Sequence, residues 1–253
     1  MYKGYNLIVD EEFKRKINSY DTGYITNDQN KFSLALKSKI IAGKGYLDAK
    51  QIEQDWFPLV KADVFISHSH FDLALAKKFA KYLNEKFKLQ VFIDAASWEY
   101  VDDLLNQIDE KYCKKENGHY DYEKRNISTA HVHNILSIAL AKMIDKTECI
   151  MFLNTKNSIS INTEIENETV TNSPWIYNEL VVTQLIEKKS PVRCLEKRLS
   201  AFDSMNESLK IDYKPSLDHL MNLTSHDILR WEATCILERK HPLDQLYNMK
   251  IHS

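Results

Sequence analysis

Glycine is scarce in this chain. Only five glycines occur among 253 residues, whereas average usage of about 7% would give roughly 18. They stand too far apart to form the Gly-x-Gly-x-x-Gly fingerprint of dinucleotide-binding folds or the Gly-x-x-x-x-Gly-Lys-[Ser/Thr] loop of P-loop NTPases. Any nucleotide that this protein handles is therefore held without a glycine-rich phosphate loop. The glycines are Gly4, Gly23, Gly43, Gly45 and Gly118.

Long apolar runs and paired cysteines are also lacking. No stretch approaches the roughly 18 uncharged apolar residues of a membrane span, and the first 16 residues are too charged for a signal peptide. The four cysteines, Cys113, Cys149, Cys194 and Cys235, form no Cys-x-x-Cys pair. This usage predicts reduced thiols in a cytoplasmic protein rather than a disulfide framework or a zinc knuckle.

Charge of neither sign predominates. The 34 basic and 36 acidic residues give a formal net charge of −2. This balance argues against a dedicated binder of nucleic acid or of anionic membranes. Hydrophobic residues make up 43% and charged residues 28% of the chain, which is typical of a globular protein.

Strand and helix patterns alternate through the middle of the chain. Short apolar runs predict strands, and runs with a helical period predict helices between them. This alternation indicates an α/β fold with a parallel sheet flanked by helices. We expect an N-terminal extension over 1–60, a core over 61–190 and a C-terminal extension over 191–253 that packs on the core. The predicted strands are 63–67, 90–94, 148–153 and 209–213; the predicted helices are 48–56, 71–87, 101–113, 128–144, 173–188, 225–237 and 241–249; the longer predicted loops are 117–126 and 154–172.

Ligands of an open parallel sheet bind outside the carboxyl ends of its strands. That rule directs attention to residues 67–70, to 94–99, and to the segment from 154 to the helix that follows. A tyrosine-rich stretch over 112–122 is predicted to be a solvated insertion, with a substrate lid as the alternative.

One of these strand ends carries a possible metal motif. His68, His70 and Asp72 match the start of the His-x-His-x-Asp-His signature of metallo-β-lactamase-like hydrolases, which binds zinc. Leu73 stands where that signature has its last histidine. A second pair, His131 and His133, lies in a helical run where residues two apart do not share a face, so surface positions are predicted for both.

Glu179 is an acidic residue on an apolar helix face. Ser173 and Pro174 suit the N-cap and the first position of a helix, which places Trp175 and Glu179 on one face. Glu179 is then either an exposed residue at the edge of that face or part of a cleft at the carboxyl edge of the sheet, beside Trp175.

Three motifs resemble those of TIR (Toll/interleukin-1 receptor) domains. Residues 63–67 (DVFIS) resemble strand A, residues 91–94 (VFID) resemble strand B, and residues 173–180 (SPWIYNEL) resemble the catalytic helix. The resemblance runs from about residue 61 to 189 and implies a flavodoxin-like sheet. The loop after strand B often contains glycine in this family, but reads AASWEY over 95–100 here.

For the enzymatic branch of the family, the resemblance implies cleavage of NAD+, which is a substrate rather than a cofactor. The family's catalytic glutamate falls on Glu179. The resemblance also implies ADP-ribose, a cyclic ADP-ribose or a conjugate as the product, and a homo-oligomer in bacterial anti-phage immunity with an effector that senses the product. The alternatives are a non-enzymatic TIR interaction module and a metallohydrolase that uses His68, His70 and Asp72. The residues implied on the nicotinamide-ribose side are Ser67, His68, Asp94, Trp98, Glu99 and Trp175.

Overall fold

The computed structural model describes residues 1–20, 48–93, 95–162, 168–191, 193, 215–237 and 240–251. Within these ranges, the side chains of 95–100, 161–162 and 168–169 are outside the description. Asp94 and the strand predicted over 209–213 therefore lie outside the described residues.

The centre of the fold is a five-stranded sheet in which every described pairing is parallel. Its order is β3-β2-β4-β1-β7. A separate antiparallel pair, β5 and β6, follows β4. The predicted α/β class and parallel sheet are thus confirmed. The strands are β1 Lys3–Ile8, β2 Val64–Ser67, β3 Val91–Ile93, β4 Cys149–Asn154, β5 Ser160–Asn162, β6 Glu168–Val170 and β7 Met221–Leu223.

The strand β1 was not predicted from the sequence. This strand lies between β4 and β7, with Lys3 opposite Cys149 and Tyr5 opposite Met221. The segment treated as an N-terminal extension therefore contributes an inner strand of the sheet. In the flavodoxin-like order 2-1-3-4-5 the fourth place belongs to the fourth strand along the chain, whereas here β1 fills it. The domain division at residues 60 and 190 stays a prediction.

Helices cover both faces of the sheet. They are α1 Glu11–Ile17, α2 Ala49–Trp56, α3 Leu73–Phe87, α4 Ala95–Tyr112, α5 Tyr122–Lys146, α6 Pro174–Leu185, α7 Ser225–Leu237 and α8 Pro242–Asn248. Alternate residues of a strand point to opposite faces. Val64 and Ile66 accordingly pack in one apolar cluster with α1, α3, α7 and α8, and Phe65 packs in a second cluster with α2, α4 and α5. Phe152 of β4 packs against α6.

Several predicted boundaries were wrong. Residues 95–100 were expected to form a loop, but they begin α4. Alanine has the highest helix propensity of any residue type, so Ala95 and Ala96 favour a helix that starts here. Residues 122–126 belong to α5 rather than to the predicted loop, because Asp121 caps the helix by accepting a hydrogen bond from Lys124 N. The predicted loop over 154–172 contains the β5–β6 pair.

The connections place a switch point between β2 and β4. From β2 the chain continues through α3 to β3 on one side, whereas from β4 it continues through α6 towards β7 on the other side. Ligand sites of open α/β sheets lie at such a point, outside the carboxyl ends of the strands. Among the described helices, none combines the length and apolar character that crossing a bilayer requires.

Candidate active site

Ser67 is the last residue of β2 and stands at the switch point. It lies opposite Phe152 of β4. Its side chain is 1% exposed, and the two residues that follow, His68 and Ser69, are buried as well. Three consecutive polar side chains are thus withdrawn from bulk water where the strand ends, which is unusual for residues that are mostly exposed in proteins.

Glu179 reaches the end of β2 from α6, a helix that is far from β2 in sequence. The hydroxyl of Ser173 accepts a hydrogen bond from Ile176 N and so caps α6, and Pro174 occupies the first helical position. This start directs one face of α6 towards the sheet. Glu179 lies on that face and is 1% exposed. The buried residues of α6 are Ile176, Glu179, Leu180 and Thr183.

Ser67 and Glu179 are joined directly. Ser67 Oγ donates a hydrogen bond of 2.6 Å to Glu179 Oε2. The two residues are 112 positions apart in sequence, so the contact depends on the tertiary fold. The interpretation of Glu179 as an exposed edge residue was wrong, since Glu179 is buried and contacts the residue that ends β2, whereas a cleft beside Trp175 stays a prediction. Because burying a carboxylate is costly unless polar partners compensate, its presence there requires a reason.

A second polar contact spans the switch point. Thr155 Oγ1 donates to Asp72 Oδ2 at 2.5 Å, and Asn157 Nδ2 donates to Asp72 Oδ1 at 2.8 Å. Asp72 closes the 3₁₀ turn His70–Asp72 that follows β2, whereas Thr155 and Asn157 belong to the turn after β4. We call these two hydrogen bonds the Asp72 bridge. The segment after residue 154 was predicted to lie near a ligand site, but Thr155 and Asn157 were not singled out from the sequence.

Trp175 and Trp98 are the two aromatic residues that were implied in the site. The ring of Trp175 is half-buried and meets the exposed His133 of α5 edge-on, with 5.3 Å between ring centroids. Trp98 lies in α4, and its side chain is outside the described residues, as is that of Glu99.

The three residues of the alternative metal motif do not come together as a ligand set among the described residues. Asp72 already accepts two hydrogen bonds in the Asp72 bridge, and His70 is exposed whereas His68 is buried. Within the described ranges, the one set of three potential ligand atoms within 4.8 Å of one another comes from Glu148, His241 and Asp244. The guanidinium of Arg193 donates to both carboxylates of that set, which makes it an ion-pair cluster. His131 and His133 are exposed on α5, as predicted.

The titratable side chain of His219 contacts α6 at Thr183, one turn beyond Glu179. His219 Nε2 is 2.7 Å from Thr183 Oγ1, whose own proton goes to Leu180 O. The Nε2 atom is therefore the donor, and Nδ1 accepts from Gln184 Nε2 at 3.3 Å. Burial, helped by the positive charge of Lys188, lowers the pKa of His219 from 6.5 to about 4. The imidazole is thus neutral at physiological pH.

Comparison of the chain with protein-family models, with characterised proteins and with solved structures gave no significant match.

Proposed function

We propose that this protein is a TIR-type enzyme that cleaves the bond between nicotinamide and ribose in NAD+. The observation that carries the proposal is the buried carboxylate of Glu179, which accepts a hydrogen bond from Ser67 Oγ at the switch point of the sheet. The strand and helix motifs that resemble TIR domains supply both residues. The resemblance also implies a cytoplasmic homo-oligomer in bacterial anti-phage immunity, with an effector that senses the product.

The chemistry of NAD+ suits a site with one reactive carboxylate. Most glycosidases use two carboxyl groups, because a sugar alkoxide leaves only when an acid protonates it. The nicotinamide of NAD+ is a pyridinium, so the electron pair of the breaking bond neutralises its nitrogen and no acid is needed. The remaining demand is to stabilise the positive charge that develops on the ribose.

Glu179 meets this demand by electrostatic attraction. A fixed negative charge next to a developing cation stabilises the transition state more than the ground state. The attraction is stronger where water is excluded, and Glu179 is almost fully buried. Ser67 holds one carboxylate oxygen through its hydroxyl and so fixes the direction in which the carboxylate points. Trp175, one helical turn before Glu179, is the residue that we assign to contact with the cationic nicotinamide ring.

The acceptor that attacks the ribosyl cation determines the product. Water gives ADP-ribose, a nitrogen of the adenine in the same molecule gives a cyclic ADP-ribose, and another nucleophile gives a conjugate. In each case one glycosidic bond breaks, nicotinamide leaves with the bonding electron pair, and the acceptor supplies the new pair; an attacking water also loses one proton to the solvent.

Replacement of Glu179 tests the assignment. Purified protein is incubated with NAD+ over a range of protein concentrations, because assembly of copies is expected to favour activity, and nicotinamide and ADP-ribose species are quantified by mass spectrometry. We expect Glu179→Gln to lower nicotinamide release by about 100- to 1000-fold, the usual effect of removing one group that stabilises transition-state charge. Glu187→Gln, which changes an exposed carboxylate just after α6, is the matched control and should retain wild-type activity.

The same experiment separates the enzyme from a non-enzymatic interaction module. Such a module needs a surface for self-association but has no use for a carboxylate that is 1% exposed at the carboxyl edge of the sheet. Self-association without nicotinamide release at any concentration would favour the module. Equal nicotinamide release from wild type and Glu179→Gln would refute the role of Glu179.

A further inference from the structure

Asp72 occupies a helix-capping position without capping the helix. It directly precedes α3, where an aspartate side chain usually accepts a hydrogen bond from one of the first backbone amides of the helix. In this protein its side chain makes no such bond. The carboxylate is directed to the turn after β4, where it accepts the hydrogen bonds from Thr155 and Asn157. The Asp72 side chain therefore does not stabilise the start of α3 by a capping hydrogen bond.

The turn that contacts Asp72 is itself well ordered by hydrogen bonds. Thr155 Oγ1 gives its proton to Asp72 and accepts from the backbone amides of Asn157 and Ser158. Ser158 Oγ donates to Leu153 O, the carbonyl of the next-to-last residue of β4. A series of hydrogen bonds therefore runs from Asp72, in the turn after β2, through the turn over 155–158 to Leu153 of β4.

The Asp72 bridge lies at the same switch point as the Ser67–Glu179 hydrogen bond. The chain from Ser67 to Asp72 forms one side of the switch point, and the turn over 155–158 forms the other side. Ser67, the first residue of this stretch, holds Glu179 Oε2. A displacement of a reacting group by about 1 Å can cost roughly 100-fold in rate, so a contact that fixes both sides of the site affects catalysis without touching the substrate.

We propose that Asp72 is a positioning residue for the reaction at Glu179, because its carboxylate joins the chain after β2 to the turn after β4 and holds both beside the Ser67–Glu179 pair. This inference rests on the proposed function. Asp72 acts through Ser67 and the backbone around it and is not itself a catalytic residue.

The hydrogen-bond geometry allows a test by exchange of two residues. Asp72→Asn replaces the carboxylate by a neutral amide, so both hydrogen bonds of the bridge lose their charge-assisted strength, even when the Asn157 amide turns over to accept one of them. In Asn157→Asp two carboxylates face each other. In the double variant Asp72→Asn with Asn157→Asp, the new amide oxygen accepts from Thr155 and the new amide nitrogen donates to the aspartate at 157, so both bonds re-form. Lys156→Ala, an exposed position in the same turn, is the control.

Two measurements are made on all four variants and on the wild type. The first is kcat and KM for nicotinamide release. We expect each single substitution in the bridge to lower kcat about 10-fold with KM changed less than about 3-fold, and the double variant to recover at least a third of wild-type kcat, because the residues act as a pair. The second is backbone hydrogen exchange over 67–72 and 155–158, which needs no turnover. Exchange should rise in both segments in each single bridge variant and return to wild-type rates in the double variant.

The outcomes separate this inference from the proposed function. If Glu179→Gln abolishes nicotinamide release while Asp72→Asn leaves kcat unchanged, the positioning role is refuted and the function stands. Restored exchange without restored kcat in the double variant also overturns the positioning role. If the wild type releases no nicotinamide, the positioning role fails together with the function, even where the exchange data show that the bridge exists.

Discussion

Buried acidic side chains of this protein serve different purposes. Asp109 on α4 accepts hydrogen bonds from Ser128 and Arg125 of α5. Burial acts to raise the pKa of Asp109, but these hydrogen bonds outweigh it and hold the pKa below its usual value. Asp109 thus joins α4 to α5 by hydrogen bonds, whereas Glu179 lies at the switch point between β2 and β4. The difference in location, more than the difference in burial, separates a structural carboxylate from a candidate catalytic one.

His219 makes the free energy of unfolding depend on pH through a single side chain. Its pKa is lowered to about 4 in the folded protein, whereas the unfolded chain takes up a proton near 6.5. Between these values the unfolded state binds more protons, so the free energy of unfolding falls as the pH is lowered from about 6.5 to 4. We expect His219→Gln to reduce this pH dependence, as measured by urea denaturation at a series of pH values. Identical dependence in both proteins would contradict the role of His219.

At the scale of the element, α6 is the helix on which the site depends most. Its N-cap is the hydroxyl of Ser173. Ser173→Ala should lower the free energy of unfolding by about 1 kcal/mol, measured by urea denaturation, because one backbone amide of the first turn loses its acceptor. Asn172→Ala, at the exposed neighbouring position, should change it by less than about 0.5 kcal/mol. Equal losses in both variants would show that the cap has no special role.

Elements were predictable from sequence where their own residues determine them. The boundaries of α7 were predicted correctly, because its apolar residues recur with the helical period. The strand β1 was missed although it is as long as β4, because its partners are distant in sequence: Lys3 pairs with Cys149. Three-residue β7 was missed for the same reason. Local periodicity contains no information about which distant segment completes a sheet.

The candidate site was predictable to the same extent. Ser67 and Glu179 were both predicted to lie in the site, because Ser67 ends a clear strand and Glu179 follows a clear helix start. The hydrogen bond between them and the Asp72 bridge were not predictable, because both join segments far apart in sequence. Thr155 and Asn157 stand in a polar segment whose composition resembles that of an ordinary loop.

At the scale of the whole molecule, the inner position of β1 makes residues 4–7 part of the buried interior. Leu7 is fully buried and lies opposite Leu153 and Leu223. Leu7→Ala should therefore lower the free energy of unfolding by about 2–5 kcal/mol, measured by urea denaturation. Ile8→Ala, at a position that is 38% exposed on the same strand, should have a clearly smaller effect. A small effect of Leu7→Ala would mean that the strand is dispensable.

The same strand has a consequence for how the protein is made. β1 is synthesised before both of its neighbours, and Cys149, the partner of Lys3, follows only after the intervening chain. At about 5–20 residues per second, translation of that stretch takes on the order of 10 s. During this time Tyr5 and Leu7 have no sheet in which to be buried, and the core on that side of the fold cannot close. The nascent chain therefore passes through a prolonged stage in which an apolar strand is open to chaperones or to pairing with another copy.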